Sequence, residues 1–248
     1  NDPGNLIPAL TLGSAVEFQV SASASVNLFG LVVGSADFEM VSRTVNVDQN
    51  GNGIFSLAEK DLQDATLLSI GLSNVNLDIG SGGVGFQVTS GSLGLAIIKA
   101  NPNKIAGDNR SYLAVTSKIG GASFLGLPSS IDITISASDI AVEINRAAGT
   151  EPLAPGSVPV PLNWAVALDL NNDNAFGGVA DKLTFFAGLP AEMKVTFFGA
   201  FTRVAGKLNL KAFDVLEANA SFEMILQAVD VNYDGGSVDL KDAQLLLL

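Results

Sequence analysis

The chain of 248 residues contains no cysteine and no histidine. Without thiolate and imidazole groups it cannot form disulfides, Ser-His-Asp catalytic sites, or the usual zinc, copper and haem sites. The metals that remain are hard cations held by oxygen ligands. The missing cysteine does not by itself indicate a compartment, since cytosolic and bacterial extracellular chains can both lack it.

Positive charge is also scarce, with 13 Lys and Arg residues against 25 Asp and Glu residues and a net charge of −12. Such a chain repels phosphate backbones and anionic lipid headgroups, so we expect neither a nucleic-acid partner nor membrane insertion. No apolar run approaches the roughly 18 residues of a membrane helix, and residues 1–5 do not resemble a signal peptide. The sequence predicts a soluble chain, processed or excised from a longer one.

Alternating apolar and polar residues are the main pattern of the chain. Residues 16–28 alternate without a break, and shorter runs of the same kind occupy residues 75–79, 131–135 and 208–210. This period of two is typical of half-buried strands, and glycine-rich joints such as residues 80–85 separate them. The pattern predicts an all-β protein with an elongated, repeat-type antiparallel architecture. A sandwich and a solenoid both remain open, because each buries one face with this period.

Most of the 14 phenylalanines fall within these apolar stripes, where core packing is the expected role. The residues interpreted in this way are Phe18, Phe29, Phe86, Phe124, Phe185, Phe197 and Phe213.

Residues 150–162 carry four prolines, which favour an extended linker or a long edge loop over a central strand. We therefore predict a β-rich repeat module in residues 1–149 and a second, partial repeat in residues 163–248.

An internal repeat supports this division. Residues 38–47 (FEMVSRTVNV) align with residues 222–231 (FEMILQAVDV), an offset of 222 − 38 = 184. Residues 61–68 (DLQDATLL) align with residues 239–246 (DLKDAQLL), an offset of 239 − 61 = 178, so the second loop is six residues shorter. Repetition of such a unit indicates that the chain is a segment of a longer tandem array.

The loop at residues 48–59 (DQNGNGIFSLAE) fits the EF-hand calcium pattern position for position. Gly53 at the sixth position supplies the sharp turn. The predicted Ca²⁺ ligands are Asp48, Asn50, Asn52, the backbone carbonyl of Ile54, Ser56 and Glu59. The repeat alignment adds Asn46 as a further candidate. Alternatively, these residues only build turns, with Ser56 and Glu59 forming a capping box that starts a short helix.

A second loop at residues 169–181 has the first three ligand positions in Asp169, Asn171 and Asp173. It has Asn in place of Gly at the sixth position and alanine at the twelfth, so we expect Asp181 to close the site.

A third loop at residues 230–242 also has the first three ligand positions, in Asp230, Asn232 and Asp234. Because lysine occupies its twelfth position, Asp239 or Asp242 is the expected closing ligand.

The stretch DVNYDGGSVDLKDAQLLLL at residues 230–248 resembles the calcium loop and following helix of dockerin-type repeats. The wider mixture of strands and loops is similar to modules of very large repetitive bacterial cell-surface and extracellular proteins. The resemblance implies calcium binding, short helices after the loops, and a structural or adhesive role outside the cell. The likeness covers about 20 residues at each loop and the rest of the chain in general character.

Three functions are compatible with these features. The one we favour is a structural or adhesive tandem-repeat module of an extracellular protein or filament, rigidified by calcium and not an enzyme. The alternatives are a calcium-dependent carbohydrate-binding module and, less favoured, a calcium-stabilised glycosidase using two carboxylates. Each loop has two or three carboxylates, for which we expect dissociation constants of about 10⁻⁴ to 10⁻³ M. Neighbouring copies are the expected partners, because the uncharged stretch 21–34 can pair along an exposed edge.

Overall fold

A computed structural model describes residues 16–81, 83–128, 130–152, 156–185, 195, 197, 199–232 and 240–248. These residues form one open antiparallel sheet. Its strands are β1 (Val16–Leu28), β2 (Val32–Val47), β3 (Leu62–Ser81), β4 (Val84–Lys99), β5 (Ser111–Leu125), β6 (Ile133–Ala148), β7 (Leu168–Asp169), β8 (Phe201–Ala212), β9 (Leu216–Val231) and β10 (Leu240–Leu247).

The strands follow one another across the sheet in the order β1-β2-β3-β4-β5-β6-β8-β9-β10, and the short β7 pairs with β2. The predicted all-β, antiparallel architecture is confirmed, and the described residues build a single sheet. Strand β1 has the bounds that the alternation of residues 16–28 predicts. No helix in this part of the chain is long and apolar enough to cross a membrane.

The short helix predicted after the first loop is absent. A three-residue 3-10 turn, Leu57–Glu59, takes its place, and Lys60 follows in the left-handed conformation with φ 75°. Strand β3 then starts at Leu62, and residues 62–79 pair with β2. The Ser56 side chain makes no capping hydrogen bond, so the capping box does not form.

The two faces of the sheet differ in polarity. Directly paired residues of an antiparallel sheet lie on the same face, and consecutive residues lie on opposite faces. One row of paired residues across eight strands is entirely apolar: Val26, Gly34, Leu77, Val88, Ala122, Ala137, Leu208 and Ala220. The adjacent row is polar at all but one position: Asn27, Val33, Asp78, Gln87, Ser123, Ser136, Asn209 and Asn219.

We call the side of the sheet that carries the apolar row the apolar face, and the opposite side the polar face. A further apolar-face row, nearer the loops, spans nine strands: Val20, Met40, Ile70, Leu95, Val115, Ile144, Thr202, Leu226 and Leu246. In β3 to β6 this row lies seven residues from the first instead of six, because irregularities near Asn74, Ser90 and Asp139 add one residue between the two rows.

The core lies on the polar-face side, at the end of the sheet where the loops are. There Val45, Leu67 and Ile98 from the strands pack with Trp164 and Leu168 from the segment that precedes and includes β7. Trp164 is fully buried and its Nε1–H donates to the Oδ1 atom of Asn145 at 2.9 Å. The Asn145 amide in turn donates to the carbonyls of Leu162 and Gly199. This polar clamp joins β6 to the segments that cover it.

The prediction that the phenylalanines fill the core is correct for two of the seven. Phe185 and Phe197 are buried in the core. The other five are at least 40% exposed: Phe18, Phe29, Phe86, Phe124 and Phe213. Three of them lie in strands whose apolar face is uncovered in the described structure, and Phe29 and Phe213 lie in the turns after β1 and β8. Alternation predicts which side a residue faces, but not whether anything covers that side.

The proline-rich segment does not separate two sheets, because β6 before it pairs with β8 after it. The internal repeat follows the same sheet. Its matching strands, β2 and β9, are at positions two and eight of the strand order, 8 − 2 = 6 strands apart. An even number of antiparallel steps gives both strands the same direction. The two copies of the repeated unit therefore lie in one sheet with their matching strands in the same direction.

Candidate metal centre

The first two candidate loops lie side by side. The first follows β2 and the second follows β7, and these strands pair through Asn46 with Asp169 and through Val47 with Leu168. The backbone amide of Asp48 also donates to the carbonyl of Ala167 at 2.9 Å. The fold thus brings together two loops whose first residues are 169 − 48 = 121 positions apart in the sequence.

In the first loop the buried carboxylate of Asp48 organises the turn. Its Oδ1 accepts the Gly51 amide at 2.8 Å, and its Oδ2 accepts the Gly53 amide at 2.6 Å. The side-chain oxygen of Asn50 accepts the amide of Asn52 at 2.9 Å. Backbone donors therefore hold these oxygen-bearing side chains on the inside of the loop.

Glu59 closes the first loop over the same space. Its Oε2 atom accepts hydrogen bonds from the Nδ2 atoms of Asn50 and Asn52, at 3.1 Å and 2.8 Å. The Asn52 Oδ1 atom accepts the Ile54 amide at 2.7 Å. Three predicted ligands thus lie within hydrogen-bonding distance of one another. Asn46 lies outside the loop, where its Oδ1 accepts the Asp64 amide.

The second loop repeats this arrangement. The buried Asp169 accepts the amides of Asp173 and Asn174, both at 3.1 Å, through its two oxygens. Asn171 accepts the Asp173 amide at 3.1 Å, and Asp173 accepts the Ala175 amide at 2.8 Å. In place of a closing glutamate, the Asp173 carboxylate accepts the Asn171 side-chain amide at 2.8 Å.

Backbone dihedrals explain how the second loop dispenses with glycine. The fourth and sixth residues of the first loop are Gly51 and Gly53, with φ of 71° and 81°. The corresponding Asn172 and Asn174 have φ of 59° and 61°, in the same left-handed region. Asparagine tolerates this region better than other residues with a side chain. The asparagine at the sixth position therefore preserves the turn.

A second aspartate closes the base of each loop. Asp61 accepts the amides of Gln49 and Ser56 at 2.8 Å and 2.7 Å. Asp181 accepts the amides of Leu170 and Gly178 at 3.1 Å and 3.0 Å. Burial raises the pKa of Asp61. The sequence predicts Asp181 as the closing ligand of the second loop, and the structure places it at the base of that loop. The EF-hand pattern does not single out Asp61, which has the equivalent position in the first loop, although the repeated DLxDA motif starts there.

A buried arginine ties the first loop to the sheet. Arg110 donates Nε and Nη2 to the two carboxylate oxygens of Asp108, at 2.9 Å and 2.7 Å. Its Nη1 reaches the Gln49 side chain at 2.9 Å and the Lys60 carbonyl at 2.5 Å. Glu151 accepts from Gln49 at 2.8 Å and lies 3.4 Å from Nη1. No sequence pattern pointed to this network, since its members are far apart in the chain.

The ligand chemistry of the loops is mixed. In the described part of the chain no three Asp or Glu side chains form a group able to hold a metal ion by themselves. A cation in either loop therefore depends on amide and backbone oxygens as well as carboxylates, as hard cations such as Ca²⁺ accept.

The third predicted loop is only partly described. Asp230 and Asn232 lie at the end of β9 and just after it. Asp234 and Asp239 lie outside the described residues, as does the side chain of Asp242 in β10.

Two acidic side chains outside the loops, in β6 and β9, share one arginine. Glu143 and Glu223 both bind Arg203, at 3.1 Å and 2.5 Å. A cavity of about 710 Å³ lies between the end of β6, residues 158–161 and the ends of β8 to β10. The ionisable groups that line it are Arg146 and Asp230.

Two of the three Trp and Tyr rings that could stack on a sugar are buried, since Trp164 and Tyr112 are at most 1% exposed. The third, Tyr233, lies outside the described residues.

Comparison of the chain with protein-family models, curated proteins and solved structures gave no match.

Proposed function

We propose that the chain is a structural module of an extracellular tandem-repeat protein, in which calcium ions bound by the paired loops stiffen the end of a long β-sheet. The observation that carries the proposal is the equivalence of the first two loops. Their first residues, Asp48 and Asp169, each accept two backbone amides of their own loop, including that of the sixth loop residue, and the strands β2 and β7 pair directly.

The first loop would hold Ca²⁺ through Asp48, Asn50, Asn52, the Ile54 carbonyl, Ser56 and Glu59. The hydrogen bonds from Asn50 and Asn52 to Glu59 support this assignment, because they place a carboxylate and two amide groups around one small space. For the second loop we propose Asp169, Asn171 and Asp173, with Asp181 at its base. For the third we propose Asp230, Asn232 and Asp234, with Asp239 or Asp242.

A bound ion would neutralise carboxylates that otherwise repel one another. It would also fix β2 against β3 and against the segment that contains Trp164 and β7. An ion that binds only the folded state adds RT ln(1 + [Ca²⁺]/Kd), roughly 1 to 3 kcal/mol per site at about 10 mM calcium and the expected affinity. Sites of this affinity are filled outside the cell and empty at cytosolic calcium. This supports an extracellular or bacterial cell-surface location.

The sheet itself supports the repeat-array part of the proposal. The matching strands of the two sequence repeats run in the same direction, so further copies can extend the same sheet in the same orientation. The edge strand β1 is exposed from residue 21 onward and carries no charge between residues 21 and 28. Uncharged edge strands pair readily with other strands. Neighbouring copies are thus the proposed partners, in a filament or an adhesive surface layer.

A thermal unfolding experiment tests the proposal. Calcium at 10 mM should raise the melting temperature relative to EDTA by several degrees, because each ion binds the folded chain alone. The Glu59→Gln variant should lose part of this shift, whereas Glu217→Gln, on the polar face of β9, should keep all of it. An identical melting temperature in calcium and in EDTA overturns the proposal.

A further inference from the structure

The apolar face has a size that a monomer in water does not leave open. Eight strands, β1 to β6, β8 and β9, each have at least 12 residues. At about 4.8 Å between strands and about 3.3 Å per residue, these strands span roughly 34 by 40 Å, or about 1,300 Å². The largest apolar patch of an ordinary monomer is about 300 to 600 Å².

Large side chains on this face are accessible, whereas the small Ala122 is 4% exposed. Val26 in β1 and Leu208 in β8, which belong to the same apolar row, are 43% and 50% exposed. By contrast, the polar-face side of the same strands is sealed near the loops, where Val45, Leu67 and Ile98 are fully buried. The chain therefore covers one side of its sheet near the loops, while no described segment covers the apolar face.

The chemistry of the face restricts what can cover it. Its two complete rows contain only apolar residues and Thr202, so it offers nothing to a charged or strongly polar ligand. A single helix is only about 10 to 12 Å across and would cover a third of the width. A second sheet of the same breadth covers all of it, and two sheets pack face to face at about 10 Å.

We infer that the apolar face is the interface between two copies of this chain, which pack sheet against sheet into a sandwich. Two faces of about 1,300 Å² bury roughly 2,600 Å² in total, within the range of obligate homodimers. The interface is distinct from the edge pairing described above, and it does not depend on calcium.

Sedimentation of the wild-type chain and of paired lysine variants tests this inference. Phe86 and Phe124 pair directly on the apolar face and are 42% and 40% exposed, so lysine at either position can reach water in the isolated sheet. The double variant Phe86→Lys/Phe124→Lys should raise the dimer dissociation constant at least 100-fold. The control Gln87→Lys/Ser123→Lys, the next pair on the polar face, should leave it unchanged. Fluorescence of the buried Trp164 verifies that each variant is folded.

Cross-linking gives a second measurement, since the chain has no cysteine of its own. Ala137→Cys on the apolar face should cross-link between copies with a bis-maleimide of about 10 Å reach. Ser136→Cys, its neighbour on the polar face, should not.

Three results overturn the inference. The first is a wild-type chain that stays monomeric at 100 μM in calcium and in EDTA. The second is association that survives Phe86→Lys/Phe124→Lys, which would assign it to the strand edges. The third is a monomeric chain that floats with phosphatidylcholine vesicles and loses this binding in the double variant, which would assign the face to lipid. Dimerisation without any calcium effect on stability would support the sandwich while rejecting calcium binding.

Discussion

Phe55 and Phe176 stack with their ring planes 5° from parallel and their ring centroids 6.2 Å apart. Each is the eighth residue of its loop, counted from Asp48 and from Asp169. Two loops from distant parts of the chain thus meet through equivalent residues, in addition to the pairing of β2 with β7. The pairing and the stack together make the two loops one structural unit, and we expect their stabilities to be coupled.

A double-mutant cycle on this aromatic pair measures that coupling. Phe55→Ala and Phe176→Ala should each destabilise the chain, and their interaction energy should be about 0.5 to 1.5 kcal/mol, the usual value for a stacked pair. Urea unfolding followed by the fluorescence of Trp164 provides the free energies. Strictly additive effects would show that the loops are energetically independent.

Removal of the first carboxylate of a loop should be costly even without metal. In Asp48→Ala the amides of Gly51 and Gly53 lose a buried, charged acceptor, so we expect a loss of about 2 to 4 kcal/mol of unfolding free energy in EDTA. Asp78→Ala, which removes an exposed carboxylate on the polar face, should cost no more than about 0.5 kcal/mol. Equal effects of the two substitutions in urea unfolding would contradict the organising role of Asp48.

The buried arginine should be among the most sensitive positions. Arg110→Met leaves the carboxylates of Asp108 and Glu151 buried without their cation, and we expect a destabilisation of about 3 to 5 kcal/mol. Amide exchange should also increase in residues 49–61, since the Lys60 carbonyl and the Gln49 side chain lose their donor. Lys182→Met, outside the network, is the control. Unchanged exchange in the loop would show that Arg110 does not brace it.

The pKa of Asp37 provides a prediction for the edge strand. Hydrogen bonds from Ser23 of β1 and Asn74 of β3 lower this pKa below its ordinary value. Because the folded-state pKa is depressed, the ionised carboxylate adds stability above about pH 4, and this contribution is lost as the pH falls through the folded pKa. Ser23→Ala should raise the pKa of Asp37 in an NMR titration, and Ser25→Ala should not. An unchanged pKa in Ser23→Ala would contradict this link.

Local patterns predicted the local features of the fold well. The alternation of residues 16–28 predicted β1 with its bounds, because a strand's period of two is a property of neighbouring residues. The EF-hand spacing likewise identified side chains that do converge, such as Asn50, Asn52 and Glu59. The prediction of a helix after the first loop was wrong, since residues 62–68 pair with β2 and only the three residues Leu57–Glu59 form a helical turn.

Long-range features could not be predicted from one sequence. Nothing in the residues near Asp48 indicates that the carbonyl of Ala167 will accept the Asp48 amide, or that Phe176 will stack on Phe55. The burial of Arg110 depends on partners 41 and 61 residues away. The exposure of Phe86 and Phe124 likewise depends on what lies over the sheet, which a strand's own pattern does not encode.

Calcium titration followed by backbone amide NMR tests the central claim most directly. The amides of Gly51, Gly53, Asp173 and Asn174 all donate to loop carboxylates, so an ion at those carboxylates must change their shifts. We predict that these four signals move and saturate, with dissociation constants of about 10⁻⁴ to 10⁻³ M, while amides in the middle of β5 stay in place. Four signals that remain unmoved at 20 mM calcium would contradict calcium binding by the paired loops.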